Sequence, residues 1–120
     1  TRLEEQDLLC APVRTLAETY GTPLFIYSQA TLLHHLKQIQ TAFAPAAPLI
    51  SYSVKSNGNL ALCRLMAEHG AGFDVTSGGE LYRALKAGGT GDKIVFAGVG
   101  KTDAEIARAL DNGVFLFNVE

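Results

Sequence analysis

Lys55 stands in the most suggestive chemical setting of the chain, within Ile50-Ser-Tyr-Ser-Val-Lys55-Ser-Asn-Gly-Asn59. It closes an apolar run and precedes a glycine turn. In parallel α/β folds the C-terminal ends of strands are where active sites assemble. A lysine held there in a partly desolvated pocket has a lowered amine pKa and becomes nucleophilic. Such an amine can form an imine with an aldehyde cofactor. The plain alternative is a lysine that leaves its strand into solvent, and spacing alone favours that alternative.

A second cluster is Gly72-Phe-Asp74-Val-Thr-Ser77-Gly-Gly-Glu80-Leu81. Asp74 lies inside an apolar run, where an unpaired charge is costly. It calls for a partner, and Lys55 from the neighbouring strand is the natural candidate. Ser77 and Glu80 have capping-box spacing, which accounts for both without a functional role. Gly78 and Gly79 either let the backbone approach a ligand or merely make the turn.

Phe96-Ala-Gly98-Val-Gly100-Lys101-Thr102 carries the Gly-Lys-Thr of a phosphate loop, but the earlier glycine of that pattern is Val95, inside a strand. The segment is therefore no phosphate loop. Thr102 reads as a helix cap with Glu105, and Lys101 as a solvated loop residue. His34 and His35 are adjacent on a helix and point to different faces, and His69 lies near a helix C-terminus, where positive charge suits the dipole. None of the three reads as catalytic. Cys10 and Cys63 have no metal-site or disulfide-framework spacing, so no metal is expected. Cys63, in Leu60-Ala-Leu-Cys63, reads as a core residue.

The elements that must position these residues follow from periodicity. Val13, Leu16 and Ala17 define a short helix ending near Gly21. Leu24-Phe25-Ile26-Tyr27 after Pro23 reads as a strand. Ser28 caps a helix with Leu32, Leu36, Ile39 and Phe43 at helical spacing, ended by Pro45 and Pro48. Strands are then expected over 49–55, 73–76, 94–97 and 114–119, with helices over 60–69, 77–86 and 102–110 between them. The unit recurs about every 21 to 23 residues. The strands are mostly apolar, as when both faces are buried. Strand–helix alternation implies a parallel sheet with right-handed crossovers. Two architectures fit: an open doubly wound sheet, or part of a (β/α)8 barrel, which needs about 250 residues. The stop on Val119-Glu120, straight after an apolar run, leans towards part of a larger fold.

The chain has 120 residues, 48% hydrophobic and 18% charged, enough apolar material for a core. A net charge of −2 points away from nucleic acid or an anionic membrane as partner. No signal-peptide pattern or bilayer-length apolar run occurs, so a cytoplasmic setting is expected.

Tyr52-Ser-Val-Lys55-Ser-Asn57 resembles the Tyr-x-Val-Lys-Ala-Asn motif of the alanine-racemase-like, pyridoxal-phosphate-dependent barrel decarboxylases. Gly72–Leu81 is similar to that family's second strand and following helix, Lys93–Thr102 to its third strand, and Gly21-Thr-Pro-Leu-Phe-Ile-Tyr27 to its opening strand. Ser56 replaces the usual alanine, and Ala97 stands where many members carry histidine.

The resemblance implies about half of a pyridoxal-phosphate-binding (β/α)8 TIM-type barrel over residues 29–120. It makes residues 1–28 a segment and strand that pack with a C-terminal β domain. It implies pyridoxal 5'-phosphate as cofactor, Lys55 as the Schiff-base lysine, and Asp74 as a cofactor-pocket residue that helps position it, with Glu80 joining that network. The implied reaction is decarboxylation of meso-diaminopimelate to L-lysine, with another basic amino acid or a polyamine precursor as the alternative substrate. The implied assembly is a homodimer at full length. The family's phosphate loop, its partner for the pyridine nitrogen and its β domain lie further along the chain, so the 120 residues alone are expected to be inactive. A competing reading is a non-catalytic pyridoxal-phosphate-binding module, which the Gly21–Tyr27 strand argues against.

Overall fold

The structure is a computed structural model and describes residues 12–119; the reading of Cys10 lies outside them. The chain divides into two compact units, residues 1–46 and 47–120.

In the first unit, helix α1 (Val13–Tyr20) ends where Gly21, at φ +79°, donates its N–H to Ala17 O. Leu16 and Ala17 are half-buried and Val13 is exposed. Helix α2 (Gln29–Ala42) starts as expected, with Ser28 Oγ accepting from Thr31 N–H at 3.1 Å. Leu36 is its buried residue, while Ile39 and Phe43 stay exposed. Pro45 falls in a short 3-10 turn, Ala44–Ala46, just past the helix. The expected strand over Leu24–Tyr27 does not form, and Phe25 is 83% exposed. An apolar run supplies side chains for a strand, but a strand also needs a neighbour's N–H and C=O groups. Among the described residues no strand supplies them.

The second unit is a parallel sheet built in strict chain order: β1 (Ser51–Ser53), β2 (Gly72–Val75), β3 (Ile94–Phe96) and β4 (Leu116–Phe117). Helices α3 (Leu60–Glu68), α4 (Gly78–Lys86) and α5 (Asp103–Asp111) make the crossovers. Register partners are Ser51 with Gly72, Phe73 with Ile94, and Val95 with Leu116, a step of 21 residues each time. Each helix begins on a side-chain cap: Asn59 for α3, Ser77 for α4 and Thr102 for α5. A doubly wound sheet reverses its strand order at a switch point. Here every new strand adds beside the last, which is how a barrel wall grows, and the unit is the opening part of a (β/α)8 barrel.

Phe73, Phe96, Leu81, Ile94, Val54, Val75 and Cys63 are fully buried and weld sheet to helices. Burying each large apolar side chain contributes roughly 1.5–3 kcal/mol. Burial pushes the Cys63 thiol pKa up, against smaller opposing effects of Arg83 and a backbone hydrogen bond, so this cysteine packs as expected. Gly72 admits the neighbouring strand: a Cβ there would lie 2.2 Å from Lys93 O. Among the described residues no helix is long and apolar enough to cross a membrane, and no group of His, Cys, Asp and Glu forms a metal cluster.

Candidate active site

The ladder of β1 stops at Ser53, and Val54–Ser56 curl into a 3-10 turn. Val54 is buried and anchors that turn, whereas Lys55 beside it is exposed. Among the described residues the Lys55 amine has no hydrogen-bond or ion-pair partner. Its base, by contrast, is held on several sides. Tyr52 Oη donates to Asn57 O at 2.9 Å, and its ring meets Phe73 edge-on at 6.4 Å. Ser56 Oγ donates to Ser53 O at 2.7 Å, and Asn59 N–H to Asn57 Oδ1 at 3.0 Å. From α4, Arg83 Nη1 donates to Gly58 O at 3.0 Å.

Asp74 lies opposite Ser53 in the β1–β2 register and is half-buried. Its Oδ2 accepts from Ser53 Oγ at 3.2 Å. The expected Lys55–Asp74 pair is therefore not formed. Lys55 would share the Asp74 face only if β1 continued as a strand, since side chains two apart lie on one face. The 3-10 turn takes Lys55 out of that alternation.

The loop after β2 also departs from expectation. Ser77 Oγ accepts from Glu80 N–H at 3.3 Å, one half of the expected box. The other half is missing, because Glu80 Oε2 accepts instead from Thr76 N–H at 2.7 Å and Thr76 Oγ1 at 3.1 Å. Gly78 does permit a close approach, but by Glu105: Gly78 N–H donates to Glu105 Oε1 at 2.6 Å. A Cβ on Gly79 would meet nothing nearer than Ser77 Oγ at 3.9 Å, so that glycine serves no close approach.

Thr102 and Glu105 form the complete capping box the spacing predicts, with Glu105 Oε2 accepting from Thr102 N–H and Oγ1, each at 3.0 Å. These bonds hold the Glu105 carboxyl below the usual carboxylate range, the Gly78 bond first and the Thr102 bonds next. Lys101 is not the solvated residue expected. It is half-buried, donates to Gly98 O and to Asn118 O, and sits 5.7 Å over the Phe96 ring. His34 and His35 are exposed on α2 with their rings edge-on at 5.5 Å, and among the described residues they belong to no metal-binding group.

Tyr52, Ser53, Arg83, Lys101 and the second oxygen of Glu105 were not legible as site residues. Tyr52 and Ser53 lie within the lysine motif itself, so these two have a local signal. Arg83 reaches Gly58, 25 residues away, and Glu105 reaches Gly78, 27 residues away, so only the fold reveals them.

A sequential parallel sheet that delivers a lysine amine and a carboxylate to the C-terminal ends of adjacent strands suits aldehyde-cofactor chemistry. Residues 29–120 match the family described as pyridoxal-dependent decarboxylase, pyridoxal binding domain, and the chain belongs to that family. Its cofactor is pyridoxal phosphate. Over 109 residues the chain is 52% identical to a diaminopimelate decarboxylase of Neisseria meningitidis serogroup A, covering 91% of this chain and 27% of the relative. It is 49% identical to the diaminopimelate decarboxylase of Haemophilus influenzae, covering 91% of this chain and 26% of that one. A crystal structure of an Aquifex aeolicus protein superposes with a TM-score of 0.87 at 45% identity, over 92% of this chain and 27% of that one. The diaminopimelate decarboxylase of M. jannaschii, solved in co-complex with L-lysine, gives 0.87 at 36% identity, over 91% and 26%. The chain thus spans about a quarter of the length of the curated relatives it matches.

The residues present fit the aldehyde end of the cofactor, because Lys55 offers a primary amine with no competing partner among the described residues. The phosphate is another matter. Helix N-termini are common anion sites, but here Gly78 N–H at the start of α4 and Thr102 N–H at the cap of α5 are both taken by Glu105.

Proposed function

We propose that this chain is the lysine-bearing part of a diaminopimelate decarboxylase, which converts meso-diaminopimelate to L-lysine and carbon dioxide. The observation that carries the reading is the Lys55 turn: an amine with no partner among the described residues, on a hydrogen-bonded base at the end of β1. The identity to diaminopimelate decarboxylases over nine-tenths of the chain supports the substrate.

In this reading Lys55 Nζ anchors the cofactor and, once displaced by the substrate amine, holds and returns a proton. Asp74 acts on Lys55 indirectly: through Ser53 it fixes where β1 ends and the lysine turn begins. Glu80 ties Thr76 and so shapes the loop after β2. When bound, pyridoxal phosphate supplies the electron sink for the carbanion left by loss of carbon dioxide. Residues 1–28 form the segment that packs with a C-terminal β domain, and residues 29–120 begin the cofactor-binding barrel; the family match starting at residue 29 supports that boundary. The full-length protein works as a cytoplasmic homodimer, and the 120 residues alone do not turn over substrate.

The test is carbon dioxide release by the full-length protein from meso-diaminopimelate, L-ornithine and L-arginine. Release from meso-diaminopimelate is expected to dominate, and Lys55→Ala to lower kcat by at least about 10²–10⁴-fold, the usual weight of a positioned proton-transfer group. A preference for ornithine or arginine would replace the substrate, and an unchanged kcat in Lys55→Ala would remove Lys55 from its role.

A further inference from the structure

The Thr102–Glu105 capping box needs only one oxygen of the Glu105 carboxylate. Oε2 fills that role alone, accepting both the N–H and the hydroxyl of Thr102. Oε1 is then free of its own helix, and it accepts from Gly78 N–H, the first residue of α4, at 2.6 Å. One carboxylate therefore joins the start of two successive helices, at the ends of strands β2 and β3 where the site assembles.

Gly78 gives a second, independent observation. A helical glycine costs roughly 0.5–1 kcal/mol relative to alanine, and Gly78 is not among the positive-φ glycines. What it provides is room: a Cβ there would lie 3.1 Å from Glu105 Cγ and 3.2 Å from Oε1. The loop that leads into α5, and so to Glu105, is itself tied from the far side. Lys101 donates to Gly98 O within that loop and to Asn118 O just past β4, at 2.7 Å for the latter. Glu105 thus stands at the start of a helix whose entry loop is hydrogen-bonded to the segment past β4.

We propose that Glu105 is a positioning residue for the decarboxylase reaction, clamping the β2–α4 loop to the β3–α5 loop so that Asp74 and the Thr76–Glu80 segment hold their place beside Lys55. The inference rests on the functional reading above. Glu105 acts through those residues and touches no reacting atom.

Glu105→Gln in the full-length enzyme is the direct test. A glutamine keeps the volume but has one acceptor oxygen, so either Gly78 or Thr102 loses its bond. Gly78→Ala is the companion variant: it leaves both residues of the α5 capping box in place and crowds the Gly78 contact alone. Kinetics are read beside amide hydrogen exchange of the Thr76–Gly79 segment and the induced circular dichroism of bound pyridoxal phosphate. Both variants should lower kcat, by about 10–10²-fold for Glu105→Gln as misplacement by a fraction of an ångström does, with KM changed far less. Exchange at Thr76–Gly79 should rise about tenfold, as loss of one charge-assisted hydrogen bond implies, and the dichroism should weaken. Faster exchange with wild-type kcat would make the clamp structural only and overturn the proposal. Unchanged exchange would do so too, by showing no Gly78–Glu105 bond in solution. If Glu105→Gln does not fold, Gly78→Ala decides by the same criteria. Wild-type enzyme without decarboxylase activity would instead overturn the functional reading, and the clamp's role in that reaction with it.

Discussion

At the scale of single residues, the lysine is defined by what holds its neighbours. Lys55 itself is exposed and has no partner among the described residues, yet the turn around it is held by hydrogen bonds of Tyr52, Ser56, Asn57 and Arg83. Tyr52 contributes twice, by its ring against Phe73 and by its hydroxyl on Asn57 O. Tyr52→Phe keeps the ring and removes only the hydroxyl. It should lower stability by about 0.5–1.5 kcal/mol, the net value of one ordinary hydrogen bond, seen as a shifted urea midpoint; no shift would mean that the turn does not depend on this bond. The motif around Lys55 was legible as a motif because it is contiguous. The partner of Asp74 was not: the apolar run up to Lys55 looked like uninterrupted strand, and a strand would have set Lys55 and Asp74 on one face. The turn at Val54 breaks that inference, and Ser53 takes the carboxylate instead.

At the scale of elements, the helix starts were read most faithfully, because a cap is a local bond between residues three apart. Ser28 and Thr102 behave as their spacing predicts. Ser77 does so only in part, since Glu80 turns back one residue further, to Thr76. The Leu24–Tyr27 strand failed for the opposite reason: strand formation is settled by a distant partner. Lys101 likewise looked like a loop cation, because its second acceptor, Asn118 O, lies 17 residues on. The Glu105 contacts also carry a pH dependence. Its carboxyl is depressed below its ordinary value of 4.5, chiefly by Gly78 N–H and then by Thr102. The stabilisation is therefore complete above the unfolded-state value and is lost as pH falls through the lower folded-state value. Thermal unfolding of wild type and Glu105→Gln should differ at pH 7 and converge as the pH falls below about 4. A gap that stays constant down to acid pH would contradict the ionised role of Glu105.

At the scale of the whole molecule, the 21-residue step was visible as a rhythm of apolar runs, capping residues and glycines. What that rhythm left open was whether the sheet reverses. Strand order decides it, and order is a property of pairing that no local pattern encodes. The sequential order, the family match over residues 29–120 and the superposition on decarboxylase structures then agree on the opening of a pyridoxal-binding barrel. Within it, the proposed chemistry centres on Lys55, in the turn that follows β1. The most direct measurement is to incubate the protein with pyridoxal phosphate, reduce with borohydride, digest, and locate the pyridoxyl group by mass spectrometry. The account predicts label concentrated on Lys55, with Lys37, Lys86, Lys93 and Lys101 essentially bare. Label spread evenly over those lysines, or absent from Lys55 in the full-length protein, would contradict it.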